Sequence, residues 1–281
     1  MKWPTSLLRS PSGVLGMILV LIVIFIAATA PVFAPFEPNA MNFRARRLPP
    51  AWFEAGDPAH ILGTDQLGRD LFSRLLYGAR ISVIVGVLGV LLSMTIGVTL
   101  GLLSGYFGGI IDNFISRLLD TFMSIPFIIL ALALVGALGP SLLNLIIALG
   151  LTGWVTFTRV VRSEVLLVKT LSYIEAVAAL GQSTFWTILR HILPNVAASI
   201  IVLATLQLAN IIIAESALSF LGLGVQPPTV TWGGLLADGR QYLATSWWLS
   251  TFPGIAITLT ALGVILLGDW LRDILDPRQM T

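Results

Sequence analysis

Few residues in this chain could do chemistry, and their spacing excludes several reaction classes. The 281 residues contain no cysteine and only two histidines, His60 and His191, which excludes a thiolate site or a multi-histidine metal site. The two lysines, Lys2 and Lys169, do not follow a phosphate-binding G-x-x-x-x-G-K-[ST] loop. Neither an H-E-x-x-H nor a G-x-S-x-G segment occurs. The chain therefore cannot hydrolyse ATP by phosphate-loop chemistry on its own.

Glu215 is the ionisable residue with the strongest case for a chemical role. It lies in the apolar stretch IIIAESALSFLGLG, and a carboxylate in a membrane segment is a functional-site hypothesis by default. Three interpretations stay open: a structural hydrogen bond, a group that lines a translocation path, or a proton relay. We favour the hydrogen bond because Glu215 lies about one helical turn from the predicted interface, where a charge is easily solvated.

Residues 171–195, LSYIEAVAALGQSTFWTILRHILPN, have the pattern of two short helices. Ser172 and Glu175 form an S-x-x-E capping box, which predicts a helix start, and Gly181 is a typical helix stop. A second short helix is limited by Pro194. A helix of about eight residues is too short to be stable alone in water. We therefore expect another protein on the same side of the membrane to support it.

The composition is that of an integral membrane protein. Hydrophobic residues make up 56% and charged residues 11% of the chain, against about 25% charged residues in soluble domains. The net charge of +2 gives no indication of nucleic-acid binding. Six apolar runs approach the length of about 20 residues that crosses a bilayer, and since lipid offers the backbone no hydrogen bonds they are expected to be helices. These runs are 13–33, 81–103, 115–137, 141–157, 196–218 and 249–268.

The first apolar run is interpreted as an uncleaved span rather than a secretory signal. Its apolar core, residues 14–30, exceeds the roughly 7–15 residues of a signal core. Pro31 follows the A-x-A-like site and would hinder cleavage.

Orientation follows from the distribution of Lys and Arg. With six spans, nine of these residues fall on the side of both termini and seven on the other side. This weak bias, together with Lys2 and Arg9 before the first span, predicts that both termini are cytoplasmic. Residues 171–195 then lie in the cytoplasm, and the long connections after the first and fifth spans lie outside.

Two features near the second span leave alternatives open. Residues from Thr64 or Asp65 to Gly78 predict an amphipathic helix with an Asp70–Arg74 pair. It is either a separate helix on the membrane surface or an extension of the second span.

Small residues recur every four positions in the second span, at Gly89, Ser93, Gly97 and Gly101. Such a stripe lets another helix approach closely. We favour a helix of this chain over a helix of a partner subunit. In the third span, Pro126 predicts a kink or a break, and it is a second candidate, beside Glu215, for the translocation path.

The 171–195 segment resembles the EAA loop of permease subunits in bacterial ABC importers. The matching residues are Glu175, Ala176, Gly181, Ile188, His191, Leu193 and Pro194, with Val177 where the third position of the motif is usually alanine. The blocks GTDQLGRDLFSRLLYGARIS, GYFGGIIDNFISRLLD and AESALSFLGLG are similar to the dipeptide, oligopeptide and nickel branch of this family. The similarity extends over residues 11–277.

The resemblance implies an all-α type I importer permease of MetI-like fold with six transmembrane helices. The implied bounds are a cytoplasmic N-terminus (1–12), a first span (13–34), an extracytoplasmic loop with a surface helix (35–80), a permease domain (81–271) that includes the coupling loop (160–195), and a cytoplasmic C-terminus (272–281).

The resemblance also implies the partners and the division of labour. Two cytoplasmic ATPase subunits would bind ATP and Mg, while this chain binds no cofactor and is not an enzyme. An extracytoplasmic binding protein would deliver the substrate to this permease, which would lie in the inner membrane. A related but distinct permease subunit would complete the pathway. Glu175 is expected to position the coupling helix, Ala176 to keep its contact face flat, and Gly181 to make its turn, while His191 and Pro194 fix the return into the fifth span.

Two other functions remain alternatives. A proton- or sodium-coupled secondary transporter would use Glu215 but gives residues 171–195 no role. A membrane scaffold for a cytoplasmic partner would explain that segment but not the glycine-rich second span. Within the ABC family, peptides are the first choice of substrate, and nickel chelates, glutathione and opine-like compounds stay open.

Overall fold

The structure, a computed structural model, describes Leu7 and residues 10–275. The outer parts of the two termini proposed as cytoplasmic lie outside the described residues. In chain order the α-helices of residues 10–275 are α1 (Pro11–Phe33), α2 (Leu71–Phe107), α3 (Gly109–Met123), α4 (Phe127–Leu138), α5 (Leu142–Lys169), α6 (Ser172–Ala179), α7 (Thr184–Thr187), α8 (Leu193–Phe220), α9 (Trp232–Gly239) and α10 (Trp248–Leu275).

The all-α membrane architecture is confirmed, with one qualification at the third span. Five helical segments are long and apolar enough to cross a membrane, formed by α1, α2, α5, α7 together with α8, and α10. The third span is divided into α3 and α4, which meet at an angle of 87°. Pro126 stands at the N-cap of α4, so the break expected at this proline is confirmed. Counting the bent pair as one span gives six.

The fourth span is longer than its apolar run suggested. The sequence predicted 141–157, whereas α5 has 28 residues and ends at Lys169. The polar residues after Phe157 remain helical because one face, with Val161 and Val165, is fully buried. A helix that packs against its neighbours needs no continuous apolar run.

The separate surface helix expected within residues 35–80 is not present. Residues 34–70 form a loop with one 3₁₀ turn at Phe43–Ala45, and α2 begins at Leu71 and continues without interruption to Phe107. The alternative of an extended second span is therefore the correct one. At 37 residues, α2 is about 55 Å long, so it projects beyond a hydrocarbon core of about 30 Å.

Asp70 starts this long helix and does not form the predicted ion pair with Arg74. Its carboxylate accepts hydrogen bonds from the Ser73 backbone N–H at 2.7 Å and the Ser73 hydroxyl at 2.8 Å. The guanidinium of Arg74 lies instead near Asp65 and Asp238. Capping explains the difference, because the carboxylate of an N-cap residue turns toward the free amides of the first turn.

The small-residue stripe of α2 packs against helices of the same chain. A Cβ atom on Gly97 would collide with Phe157 Cβ and would lie 2.5 Å from the Trp154 carbonyl oxygen, and one on Gly101 would lie 2.7 Å from Val161 Cβ. These contacts are all with α5, on which α2 packs more extensively than on any other described helix. Close backbone approach therefore holds the two helices together.

The other two members of the stripe, Ser93 and Gly89, contact α5 and α8. The Ser93 hydroxyl donates to the Gly150 carbonyl of α5 at 2.9 Å, and a Cβ on Gly89 would lie 3.2 Å from Ile211 Cγ2 of α8. The largest buried cluster lies between these helices and includes Val85, Leu149, Phe157, Val161 and Ile211. This core therefore holds α2, α5 and α8 together. Helix α1 packs against α10.

Candidate functional site

The segment between α5 and α8 forms a short exposed helix that ends at a glycine turn. Gly181 has φ of +81°, a left-handed conformation that side chains with a Cβ rarely adopt. The Gln182 N–H donates to the Val177 carbonyl, which is the hydrogen bond of a Schellman stop. The helix stop expected at Gly181 is therefore confirmed.

The start of the same helix differs from the predicted capping box. Ser172 is the first helical residue, and the N–H groups of Ile174 and Glu175 both donate to the Leu171 carbonyl. Leu171 thus occupies the cap position, one residue before the serine. The side chains of Ser172 and Glu175 are exposed and make no hydrogen bond among the described residues. The Glu175 carboxylate is accordingly available on the surface.

The return toward the membrane passes through a π-helical turn, Ile188–Ile192, which joins α7 to α8. The Leu193 N–H donates to the Ile188 carbonyl five residues earlier. Pro194 follows at once and has no N–H to donate into the helix, so a widened turn is a natural accommodation.

Tyr173 ties α6 to this return. Its hydroxyl accepts a hydrogen bond from the Asn195 amide at 2.8 Å, and the same amide donates to the His191 carbonyl. The His191 ring packs edge-on against the Tyr173 ring at 6.3 Å. The His191 side chain makes no hydrogen bond among the described residues. His191 therefore contributes an aromatic contact and a backbone carbonyl.

Several large apolar side chains of residues 171–195 are exposed. Leu180 is 88% exposed, Phe185 63% and Trp186 56%. Ala176 is also exposed, whereas Val177 and Ile188 are half-buried. Ile174 is buried and anchors the helix to the rest of the chain. We call the exposed side chains of Leu180, Phe185 and Trp186 the apolar patch.

Glu215 is fully buried, with 0% exposure, and not close to solvent as the sequence suggested. Its Oε1 accepts a hydrogen bond from the Ser219 hydroxyl at 2.9 Å. The hydroxyls of Ser82 on α2 and Thr231 before α9 also face the carboxyl. Helix α2 and the segment before α9 thus cover this part of α8. The geometry supports a structural hydrogen-bonded group and gives no support to Glu215 as a path-lining residue.

Pro126 is exposed, at the bend between α3 and α4. A partly exposed ion pair holds the first helix of this bend, where Arg162 of α5 makes two hydrogen bonds to the Asp112 carboxylate, at 2.5 and 2.7 Å. The Ser104 hydroxyl also donates to Asp112. Sequence reasoning missed this pair, because the two partners are 50 positions apart.

A second charged cluster was also missed, at the opposite end of the molecule from residues 171–195. The Asp65 carboxylate accepts from Arg69 Nε at 2.6 Å and lies 3.6 Å from an Arg74 nitrogen. Nearby, the ring Nδ1 of His60 is 2.9 Å from the Asp70 carboxylate. Asp238 of α9 lies 3.7 Å from both arginines. The concentration of charge in GTDQLGRD, in a chain so poor in charge, was the signal that could have revealed it.

Partial burial raises the pKa of Asp238 above its ordinary value. The positive charges of Arg74 and Arg69 act in the opposite direction and reduce this rise. The side chain of Asp238 is 47% exposed, whereas those of Asp65, Arg69 and Arg74 are almost fully buried. The described residues contain no group of three or more His, Asp or Glu side chains that could hold a metal ion.

Comparisons with known proteins place the fold and these segments in one family. Residues 97–281 match the family described as the inner membrane component of binding-protein-dependent transport systems. Residues 5–50 match the N-terminal transmembrane domain of oligopeptide transport permease C. The helices, the glycine-terminated loop and these matches define a permease subunit of an ABC importer. The chain belongs to the binding-protein-dependent inner membrane permease family.

Several curated relatives cover nearly the whole chain. The dipeptide transport system permease protein DppC of Escherichia coli K12 is 46% identical over 270 residues, which is 96% of this chain and 90% of the relative. The di/tripeptide transport system permease protein DppC of Pseudomonas aeruginosa is 40% identical over 263 residues, 94% of this chain and 87% of the relative. The probable D,D-dipeptide transport system permease protein DdpC of E. coli K12 is 40% identical over 96% of this chain and 88% of the relative.

A solved structure supports the fold independently. An inward-facing structure of the MetNI methionine ABC transporter aligns with a TM-score of 0.58 and 19% identity, over 72% of this chain and 96% of that one. A second crystal form gives the same score at 18% identity, over 73% and 97%. The predicted type I, MetI-like fold is confirmed.

Proposed function

We propose that this chain forms part of the translocation pathway for short peptides that an extracytoplasmic binding protein delivers. The peptide substrate rests on the similarity to relatives named as dipeptide, di/tripeptide and D,D-dipeptide permeases. The family is defined by binding-protein-dependent transport across the inner membrane, which supports a location there. Nickel chelates, glutathione and opine-like compounds remain the alternative cargo within the same family.

The observation that carries the coupling proposal is the exposed, glycine-terminated helix α6 with the apolar patch beside it. Contiguous exposed apolar side chains outside the membrane indicate a protein interaction site. The chain lacks a phosphate-binding loop, so ATP and Mg would be held by two partner ATPase subunits. Closure of those subunits around ATP would move α6, and α5 and α8 would transmit the movement to the membrane.

The residues of the segment have distinct roles in this proposal. Glu175 presents a carboxylate to the partner, and Ala176 leaves room for close contact on the exposed face. Gly181 sets the direction of the turn, and Ser172 begins the helix. Val177 and Ile188 pack beneath it, and His191 and Pro194 fix the return to α8 through the contact with Tyr173.

Both termini and residues 171–195 would be cytoplasmic, and residues 34–70 and 221–247 extracytoplasmic. This orientation rests on the excess of Lys and Arg on the side of the termini. A related but distinct permease subunit would complete the pathway. We also propose a coupling loop at 160–195 inside a permease domain at 81–271.

Reconstitution tests the proposal. The complex of both permeases and the ATPases is placed in liposomes with loaded binding protein, and uptake of radiolabelled dialanine is measured. We expect uptake that requires ATP and is insensitive to ionophores. Uptake that survives without ATP and collapses with an ionophore would instead establish the secondary transporter.

A further inference from the structure

Two adjoining cavities lie at the extracytoplasmic end of α8, between α9 and the start of α2. The smaller has a volume of about 160 Å³ and is lined by Arg69, Arg74 and the segment 224–231. The larger, of about 300 Å³, is lined in part by Gln66 and Tyr242. Both are bordered by Ser219, Gly222, Ala237 and Asp238. Together they have the size at the lower end of small-molecule sites.

The two arginines of the smaller cavity carry hydrogen-bond donors that the protein leaves without close acceptors. Arg69 is 6% and Arg74 5% exposed. Their Nη2 atoms both lie 3.7 Å from Asp238 Oδ2, whereas charge-assisted hydrogen bonds measure about 2.7–2.9 Å. Arg74 Nε is buried and has no acceptor among the described residues. Buried donors without acceptors are costly, so an anion that reached these guanidinium groups would be stabilised there.

The two carboxylates of the cluster are held very differently. Asp65 is buried and accepts hydrogen bonds from Arg69 Nε, from the Arg69 N–H at 3.0 Å and from the Leu67 N–H at 2.8 Å. It therefore belongs to the permanent framework of the loop. Asp238 is half-exposed, stands on α9, and makes no hydrogen bond to either arginine within the described residues. Asp238 can turn toward solvent and leave both guanidinium groups to another carboxylate.

We propose that the smaller cavity binds the free carboxylate of the peptide cargo, with Arg74 and Arg69 as its donors. The inference rests on the proposed function. A carboxylate fits the planar fork of a guanidinium group with two parallel hydrogen bonds. With Asp65 as the fixed counter-charge, the carboxylate replaces Asp238 and the local charge stays balanced. The remainder of the peptide occupies the larger cavity.

The test compares dialanine with dialanine amide, which lacks the carboxylate. Uptake of each is measured in the reconstituted complex at saturating loaded binding protein, and the ratio of acid to amide is taken. The binding protein is the same throughout, so a change of this ratio between variants reports on the permease. The variants are Arg74→Gln, Asp238→Asn and, as the matched control, Arg44→Gln, which alters an exposed arginine of the same loop.

We expect the acid-to-amide ratio to fall at least about tenfold in Arg74→Gln, the loss typical of a hydrogen bond to a charged group. In Asp238→Asn it is expected to rise, because the competing carboxylate is gone, and in Arg44→Gln to stay constant. If Arg74→Gln fails to assemble, the ratio in Asp238→Asn decides alone.

Unchanged ratios in both cavity variants overturn the proposal. The proposal is also overturned if uptake of the acid and of the amide falls equally and more binding protein is needed. That result would indicate that the arginines bind an acidic side chain of the binding protein. If the wild-type complex imports both peptides and the acid-to-amide ratio is the same in all variants, this inference is refuted and the proposed function stands. A wild-type complex that imports neither peptide refutes the proposed function as well.

Discussion

The two ends of this permease subunit differ in how their polar and apolar groups are satisfied. At the end proposed as extracytoplasmic, residues 60–74 bury His60, Asp65 and Asp70, and each is hydrogen-bonded to a near neighbour. At the end proposed as cytoplasmic, α7 and the turn before it expose the apolar patch formed by Leu180, Phe185 and Trp186. The carboxylates of the first end are satisfied by its own residues, whereas the buried Arg74 Nε there has no acceptor among the described residues. The second is an incomplete surface, as expected of a segment that a partner protein covers.

Removing a buried carboxylate at the extracytoplasmic end should have the largest effect. Asp70→Ala removes the cap of α2 and leaves His60 without its partner, which we expect to destabilise the subunit by about 3 kcal/mol or more. Thermal unfolding of the purified subunit in detergent measures this. Glu54→Ala, at an exposed position of the same loop, serves as the control. An unfolding temperature as high as that of the control would show that this end does not depend on its buried bonds.

A charge in the apolar patch should act on assembly and not on folding. Leu180→Asp introduces a carboxylate where a partner surface is expected, and losing the burial of one leucine is worth about 2 kcal/mol. We expect an unchanged unfolding temperature and an affinity for the ATPase subunits that is at least about tenfold weaker. Leu243→Asp is the control, because it changes another exposed leucine, 53% exposed and outside the patch. Equal loss of affinity in both variants would contradict the assigned docking surface.

Backbone strain at the turn after α6 should uncouple transport. A β-branched residue in the left-handed conformation costs about 1–2 kcal/mol, so Gly181→Val should redirect the turn. We expect uptake to fall several-fold while ATP hydrolysis continues, measured in the same liposomes. Gly139→Val is the control, because it also places a β-branched residue at positive φ, +85°, without a collision of the new Cβ, in the loop between α4 and α5. Full uptake in Gly181→Val would remove the turn from the mechanism.

The smallest effect is expected from the hydroxyl that ties α6 to the return segment. Tyr173→Phe deletes the hydrogen bond to Asn195, worth about 1 kcal/mol, but keeps the ring contact with His191. Uptake should fall about twofold. Tyr77→Phe is the comparison, because that hydroxyl makes no hydrogen bond among the described residues. A larger loss in Tyr77→Phe than in Tyr173→Phe would contradict the role of this contact.

The sequence was sufficient for features that depend on local chemistry. The apolar runs predicted the spans, Pro126 predicted a break, and Gly181 predicted the turn because each acts on its own backbone. The small-residue stripe indicated close helix packing, although only the structure identified α5 as its main partner.

Features that depend on distant partners were not predictable from the pattern. The length of α5 depends on burial of Val161 and Val165, and the burial of Glu215 depends on contacts with Ser82 of α2 and Thr231 before α9. The Asp112–Arg162 pair and the approach of Asp238 to Arg74 join residues far apart in the chain. Even the prediction of a local Asp70–Arg74 pair was wrong, because Asp70 caps α2 and Arg74 lies near Asp65 and Asp238.

We propose that a cytoplasmic ATPase covers residues 171–195, and because the sequence contains no cysteine, a single introduced thiol can test this directly. Leu180→Cys supplies the single thiol of the chain, and a membrane-impermeant maleimide reports its accessibility. We predict no labelling in intact cells, rapid labelling in inverted membrane vesicles that lack the ATPase subunits, and protection when those subunits are present. Labelling from outside intact cells, or labelling in vesicles that the ATPase subunits leave unchanged, would contradict the claim.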